Sequence, residues 1–125
     1  MTQKNDSIYQ AGQIWRYKTR PGEEDSTLII VKTEYYDEVI GNVIHISVTG
    51  VRIKNPNVEG EIIDNVPHMP FSESAITASV VELIDQGADL PSFEEGYNMW
   101  KSASGGIFTI QVSEAVEGVE LGLNQ

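Results

Sequence analysis

The sequence contains no cysteine and few basic residues: eight lysines and arginines accompany 19 aspartates and glutamates in 125 residues. The absence of cysteine excludes a disulfide framework, a thiolate nucleophile and any zinc or iron–sulfur site built on thiolates. The formal net charge of −11 argues against nucleic acid as a partner, because that binding depends on basic contacts to phosphate.

Long apolar runs are also missing. The longest, residues 28–31, has four residues, whereas a membrane-spanning helix needs about 20. The first residues, Met1 to Ser7, lack the apolar core of a signal peptide. We therefore expect a cytoplasmic protein with no membrane segment. Its length and ordinary globular composition predict one domain, residues 1–125, with residues 1–12 as a loose lead-in.

The negative charge is confined to one part of the chain. Residues 1–54 contain seven acids and seven bases. Residues 55–125 contain twelve acids and a single base, Lys101, so the whole net charge lies there. Such asymmetry is typical of a surface that attracts a partner of opposite charge, although it also increases solubility.

Alternating apolar and polar residues predict three strands in the first part, over residues 13–20, 26–35 and 43–54. The turns between them contain Pro21-Gly22 and Gly41-Asn42. In the second strand one face is expected to carry Ile29, Val31, Thr33 and Tyr35. In the third, the apolar residues change from even to odd positions after Gly50, which predicts a bulge that bends the sheet.

The second part predicts one main helix, about residues 73–86, capped by a serine and ended by Gly87. A short strand over 61–65 and an extended loop over 66–70 precede the helix. The loop is predicted because its two prolines oppose regular strand pairing. One or two helical turns over 89–100, a strand over 107–112 and a short helix or tail from 113 follow. Together these elements predict an α+β domain of four to five strands. Its sheet is either a strongly bent antiparallel sheet or a partly open SH3-like barrel.

Two histidines are the imidazole bases of the sequence. His45 lies in the middle of a strand, opposite the apolar stripe, as a structural sheet histidine would. His68 lies between two prolines, with the carboxylates of Asp64 and Glu73 nearby in sequence. These last three residues form a candidate ligand-binding or acid–base site, or a hydrogen bond that fixes the loop. No histidine spacing indicates a metal site, and we expect no cofactor.

The other charged motifs fit structural roles better than catalysis. The adjacent acids of 23–25 and 94–95 point apart on a strand, whereas a glycosidase needs two carboxyls across a cleft. The glycine pairs lack the spacing of a nucleotide-binding loop. The basic stripe Arg16, Lys18 and Arg20 is expected on the wet side of the first strand. There it meets Glu34 or the acidic turn, with anion binding as the alternative.

Acidic and aromatic residues are mixed between positions 89 and 100. Interface cores favour tyrosine, tryptophan, phenylalanine and methionine, so this segment is the candidate binding surface for a basic partner. Its candidate residues are Asp89, Glu94, Glu95, Tyr97 and Trp100. The alternative is that the helically spaced rings belong to the protein core.

Four stretches of the sequence resemble small bacterial proteins of unassigned function. They are Gly12–Ser26, His68–Ser72, Gly96-Tyr97 with Trp100, and Gly106–Ile110. The resemblance covers most of the chain and implies neither an activity nor catalytic residues. By analogy of size, charge and compartment, such small acidic proteins are often immunity proteins of polymorphic toxin systems.

The leading hypothesis is an immunity protein that binds and blocks a basic toxin domain. One alternative is a small enzyme or ligand-binding barrel that uses the His68 loop. Another is an adaptor or structural subunit that uses a sheet edge. The sequence does not indicate the oligomeric state.

Overall fold

A computed structural model of the chain describes residues 7–57 and 60–124. Those residues form five strands and three helices. In chain order they are β1 Ile14–Tyr17, β2 Thr27–Asp37, β3 Gly41–Lys54, β4 Ile62–Ser72, α1 Glu73–Ser79, β5 Val80–Asp85, α2 Glu94–Ser102 and α3 Val112–Leu123. This composition confirms the predicted α+β class.

The strands form one antiparallel sheet in the order β4-β3-β2-β1-β5. Strands β1 to β4 make a meander in which each strand pairs with the next, and β5 returns to pair with the other side of β1. The sheet is therefore open, with β4 and β5 as its two edges. The predicted bent, open antiparallel sheet is confirmed.

Bulges bend this sheet. Gly50 in β3 has a φ of +84°, and the β3–β4 register shifts between Thr49 and Ile53. Val51 and Ile53 are buried, so the core side does change from even to odd positions at the glycine, as predicted. A Cβ at Gly50 would lie 3.0 Å from Cα of Ser26, which explains why a residue without a side chain occupies the bend.

A second bulge was not visible in the sequence. The register of β2 on β3 shifts between Ile30 and Lys32, which leaves Val31 as the extra residue. Leu28 and Ile30 are buried before the bulge, and Val31, the bulged residue, is buried as well. The prediction that Ile29 shares a face with Val31 is therefore wrong, because the bulge reverses the alternation between them.

The core lies between one face of the sheet and the helices α1 and α3. Tyr9 and Tyr17 contribute to this core. Most of its buried members come from β2, β3, β4 and these two helices, among them Leu28, Ile30, Ile44, Ile46, Val48, Phe71, Ile76, Val112, Ala115 and Val116. Helix α2 lies on the opposite face, where its aromatic rings contact His45. The sheet is thus covered by helices on both sides.

The predicted helix over 73–86 begins where expected but ends at Ser79. Ser72 caps it by accepting a hydrogen bond from the Ala75 amide. Ser79 Oγ donates to the Ala75 carbonyl at 2.8 Å and accepts from the Val112 amide at 3.0 Å. Residues 80–85 instead pair with β1, because the β-branched residues that follow Ser79 satisfy a sheet edge that would otherwise be unpaired.

Strand β4 corrects another prediction. Residues 62–72 form a continuous strand that includes Pro67 and Pro70, not a short strand followed by a loop. Proline is tolerated because β4 is an edge strand and its register shifts between its pairs with Ile46 and Val48. The prolines of β4 and the register shifts of β5 both reduce the capacity of the edges to pair with another chain.

The end of the chain also differs from expectation. The predicted strand over 107–112 is reduced to one bridge, in which Phe108 pairs with Phe71. Residues 112–123 form the α3 helix, which begins with a capping box between Gln111 and Glu114. The helical turns expected over 89–100 correspond to α2, which starts at Glu94.

Half of the predicted lead-in, residues 1–6, lies outside the described residues. In residues 7–12, Tyr9 is buried and its hydroxyl lies 2.8 Å from Thr77 Oγ1. Ser7 donates to the Glu73 carboxylate at 2.7 Å, so this segment contacts α1. Among the described residues, no helix has both the length and the apolar character needed to cross a bilayer.

Candidate functional site

The two histidines of the chain lie side by side on the face of the sheet beneath α2. We call the group of Glu34, His45, His68, Tyr97 and Trp100 the histidine cluster. Lys32 of β2 pairs with His45 of β3, which brings Glu34 of β2 within reach of the same imidazole. His68 comes from β4, and the two aromatic residues come from α2.

A chain of short hydrogen bonds runs through the cluster. His45 Nε2 lies 2.9 Å from Glu34 Oε1, and His45 Nδ1 lies 2.8 Å from His68 Nε2. The hydroxyl of Tyr97 donates to both oxygens of the Glu34 carboxylate, at 3.1 and 3.2 Å. Three strands and α2 are therefore joined through one carboxylate and two imidazoles.

The carboxylate sets the tautomers of both rings. Because the carboxylate accepts, His45 Nε2 carries the proton and His45 Nδ1 is an acceptor. His68 must then carry its proton on Nε2, which leaves Nδ1 of His68 with a free lone pair. Glu34 thus orients His45 directly, and His45 in turn orients His68.

Burial keeps both imidazoles neutral. Desolvation lowers the pKa of His45, which is fully buried, and outweighs the opposing effect of Glu34. Desolvation and the neighbouring His45 lower the pKa of His68 to about 4. Both rings are thus uncharged near neutral pH, where they support a packed hydrogen-bonded network.

Helix α2 packs closely over this network. The rings of Tyr97 and Trp100 lie edge-on to His45, with centroids 5.0 and 4.9 Å away. A Cβ added at Gly96 would lie 2.9 Å from Cβ of His68, so the glycine permits the close approach. Trp100 Nε1 donates to the Gly106 carbonyl at 2.8 Å, which fixes the ring at the helix end.

An open cleft lies beside the cluster, where α2 no longer covers the sheet. We call it the β4 cleft. It has a volume of about 540 Å³ and is lined by β3, by the outer half of β4 and by the segment before α2. The lining residues are Ser47, Thr49, Gly50, Asp64, Asn65, Pro67, Pro91 and Ser92. Asp64 supplies the carboxylate in this lining, and none of these eight residues has a basic side chain.

No protein-family model, curated protein or solved structure matches this chain. Its own residues therefore carry the functional interpretation.

The structure separates the candidate partner-binding residues into two groups. Tyr97 and Trp100 are half-buried in the histidine cluster, on the side of the sheet opposite the main hydrophobic core. Asp89, Glu94 and Glu95 are exposed. The acids of this segment thus face solvent, while its rings fix α2 to the sheet.

The candidate ligand set Asp64, His68 and Glu73 is distributed over three different surroundings. Glu73 accepts hydrogen bonds from Ser7 and Asn42 at the start of α1. Asp64 is exposed on the β4 cleft, and His68 bonds to His45. Within residues 7–57 and 60–124, no group of three or more metal-binding side chains is arranged to hold an ion.

The basic stripe Arg16, Lys18 and Arg20, of which only Arg16 lies in β1, contributes mainly one structural ion-pair network. The half-buried guanidinium of Arg20 contacts Glu23 at 2.7 Å and both Glu117 and Glu120 at 2.9 Å. Burial opposes ionisation of Glu23, but the Arg20 guanidinium and the Arg52 amide outweigh it and hold the pKa of Glu23 below its usual value. The predicted contact of this stripe with the acidic turn is present.

Glu34 and His45 are the residues that the sequence did not assign to the cluster. Alternation placed both correctly, on the face opposite the apolar stripe. Their contact, however, depends on the bulge at Val31. A polar histidine and a glutamate on the same face of adjacent strands were the available signal.

Proposed function

We propose that this protein is an acidic binding domain that recognises a basic surface on a protein partner, as an immunity protein blocks a toxin domain. The observation that supports the proposal is the uncompensated charge of residues 64–95. Five exposed acids there form no ion pair with any base among the described residues. They are Asp64, Asp85, Asp89, Glu94 and Glu95.

Ion pairs engage three other acids of residues 55–125. Glu82 pairs with Arg16, while Glu117 and Glu120 pair with Arg20. Lys101, the base of the second part, has Nζ 3.4 Å from the Tyr97 hydroxyl and 5.7 Å from its ring centroid. Its position beside Tyr97 leaves the acids at the start of α2 without a described counter-charge.

Exposed charge of one sign acts mainly on the rate of encounter. Complementary potentials raise association rates by roughly 10- to 1,000-fold at low salt, and salt screens the effect. An acidic surface therefore suits a partner with a basic cleft, such as a toxin domain that acts on nucleic acid. The contacts of Tyr97 and Trp100 with His45 hold α2 against the sheet, and Glu94 and Glu95 lie in the first turn of this helix.

The test begins with the tagged full chain in its native cell. The captured partner is identified by mass spectrometry, purified and used for association kinetics at several salt concentrations. A partner with a basic binding surface and an association rate that falls with salt support the proposal. Failure to find any basic partner, or a rate that does not respond to salt, contradicts it.

Matched variants localise the effect. The triple variant D89N/E94Q/E95Q is expected to lower the low-salt association rate about tenfold. The control D25N/E61Q/E114Q removes the same charge elsewhere and is expected to change the rate less than about twofold. Equal effects of the two variants would mean that net charge alone governs binding.

A second candidate, a small enzyme or ligand-binding domain, rests on the chain of hydrogen bonds from Glu34 to His68. That chain leaves one imidazole nitrogen of His68 as an acceptor, as general-base chemistry requires. His68→Gln keeps a donor toward His45 and removes the base. Turnover or ligand affinity that survives this substitution would eliminate the second candidate.

A further inference from the structure

The β4 cleft contains one of the uncompensated acids, Asp64, in its lining. Its floor is the face of β3 that carries Ser47 and Thr49, beyond the point where α2 covers the sheet. One wall is the outer half of β4, with Asp64. The other wall contains Ser92, two residues before Glu94 and the start of α2.

The lining of the cleft combines apolar walls with hydrogen-bond acceptors. Pro67, Pro91 and Gly50 offer carbon atoms and no side-chain donor. Acceptor oxygens come from the Asp64 carboxylate and from hydroxyl side chains of the lining. A group that fits this lining has an apolar stem and a charged tip that donates hydrogen bonds, which describes a long basic side chain.

The Asp64 carboxylate can accept further hydrogen bonds from such a charged group. Its side chain is exposed, and its Oδ1 accepts from the Asn65 side-chain amide at 2.9 Å. Its other oxygen has no described hydrogen bond, and no basic residue lines the cleft to neutralise the charge. A carboxylate with this freedom can accept two parallel N–H bonds from a guanidinium, the geometry that favours arginine over lysine.

We infer that the β4 cleft is the subsite that receives an arginine side chain of the basic partner, with Asp64 as the carboxylate that binds its guanidinium. The inference rests on the proposed function and makes it specific, because it names the residue type that the partner inserts. The volume of about 540 Å³ lies within the range of pockets that enclose small ligands. The neighbouring acids attract the partner, and the cleft selects its side chain.

The direct test uses N-acetyl-L-arginine amide as a probe, titrated into the full chain and followed by amide chemical shifts in NMR. Saturable shifts are expected at Thr49, Gly50, Asn65 and Ser92, with a Kd on the order of 1 mM for a probe of this size. N-acetyl-L-citrulline amide has nearly the same shape without charge and is expected to produce no saturable shift. N-acetyl-L-lysine amide is expected to bind at least about threefold more weakly.

Substitution of Asp64 distinguishes specific binding in the cleft from general electrostatic attraction to the acidic surface. Asp64→Asn is expected to weaken binding of the arginine probe about tenfold, since it removes one charge-assisted pair. Glu61→Gln removes one exposed charge from the residue just before β4 and is expected to leave the Kd unchanged. Because Asp64 is exposed, neither substitution is expected to disturb the fold. Unshifted amide signals away from the cleft would verify that the fold is intact.

Three results would overturn the inference: no saturable shift in the cleft, equal binding of the citrulline probe, or equal affinity in D64N. The kinetics with the captured partner then identify what has failed. If the partner binds wild-type and D64N protein equally and its rate still falls with salt, the subsite is wrong and the proposed function stands. If no basic partner exists, the proposed function fails independently of the probe.

Discussion

Protonation of the histidine cluster gives a measurable pH dependence of stability. The pKa of His68 falls from 6.5 in an unstructured chain to about 4 in the fold, because burial and His45 disfavour its charged form. Between these values the unfolded chain binds a proton that the folded chain does not. The free energy of unfolding therefore decreases as pH falls through 6.5 and stops changing on this account below about 4.

The magnitude follows from the shift. Each pKa unit corresponds to about 1.4 kcal/mol, so the whole difference for His68 would be about 3 kcal/mol. His68 is only half-buried, and solvent screening reduces this to roughly 1–2 kcal/mol. The lowered pKa of His45 acts in the same direction and adds to the loss in acid.

The assay is urea unfolding followed by tryptophan fluorescence at several pH values from 7.5 to 4.5. Wild-type protein should lose more stability over this range than His68→Gln, which cannot titrate but can still donate to His45. The carboxylates, including Glu23, titrate alike in both proteins and cancel in the comparison. An identical loss in the two proteins, or a wild-type protein more stable at pH 4.5, would refute the reasoning.

Three further predictions concern packing and ion pairs. Gly96→Ala should cost about 1–3 kcal/mol in urea unfolding, because its Cβ would lie 2.9 Å from Cβ of His68. Gly118→Ala, in the helix α3 with open space around it, should instead stabilise the protein by about 0.5–1 kcal/mol, and a loss would contradict this. Arg20→Ala should cost about 3 kcal/mol or more, because Glu23 stays buried without its partner; a near-neutral thermal shift would show that water compensates that charge.

Much of the sheet could be predicted because alternation and turn residues are local signals. The strands β2 and β3 and the bend at Gly50 follow from such patterns. The predicted helix over 73–86 is longer than the observed α1, because Val80 and Leu83 fit the apolar stripe of a helix as well as they fit a strand. Pairing with β1 decides between these alternatives, and that contact is not encoded in the spacing of residues 80–85.

In the candidate site, too, local sequence patterns predict the face of a strand but not its pairing with strands distant in the sequence. The sequence predicts the correct face for His45, but it predicts a loop around His68 because the pairing of β4 is not encoded in the local pattern. The histidine pair depends on the registers of β2, β3 and β4 together. The two rings of α2 could be assigned to core or interface only once α2 was placed on that face.

Helix α3 has a consequence for how the chain matures during synthesis. Arg20 reaches Glu117 and Glu120 across almost 100 residues of sequence, and Val112 and Val116 complete the core on β3. The strands β1 to β4 leave the ribosome before α3 is synthesised. Their apolar face therefore stays exposed until α3 can pack on it. Nascent chains of this protein should therefore depend on ribosome-associated chaperones until about residue 123 has left the exit tunnel. Ribosome-bound chains arrested before and after α3 would reveal this dependence.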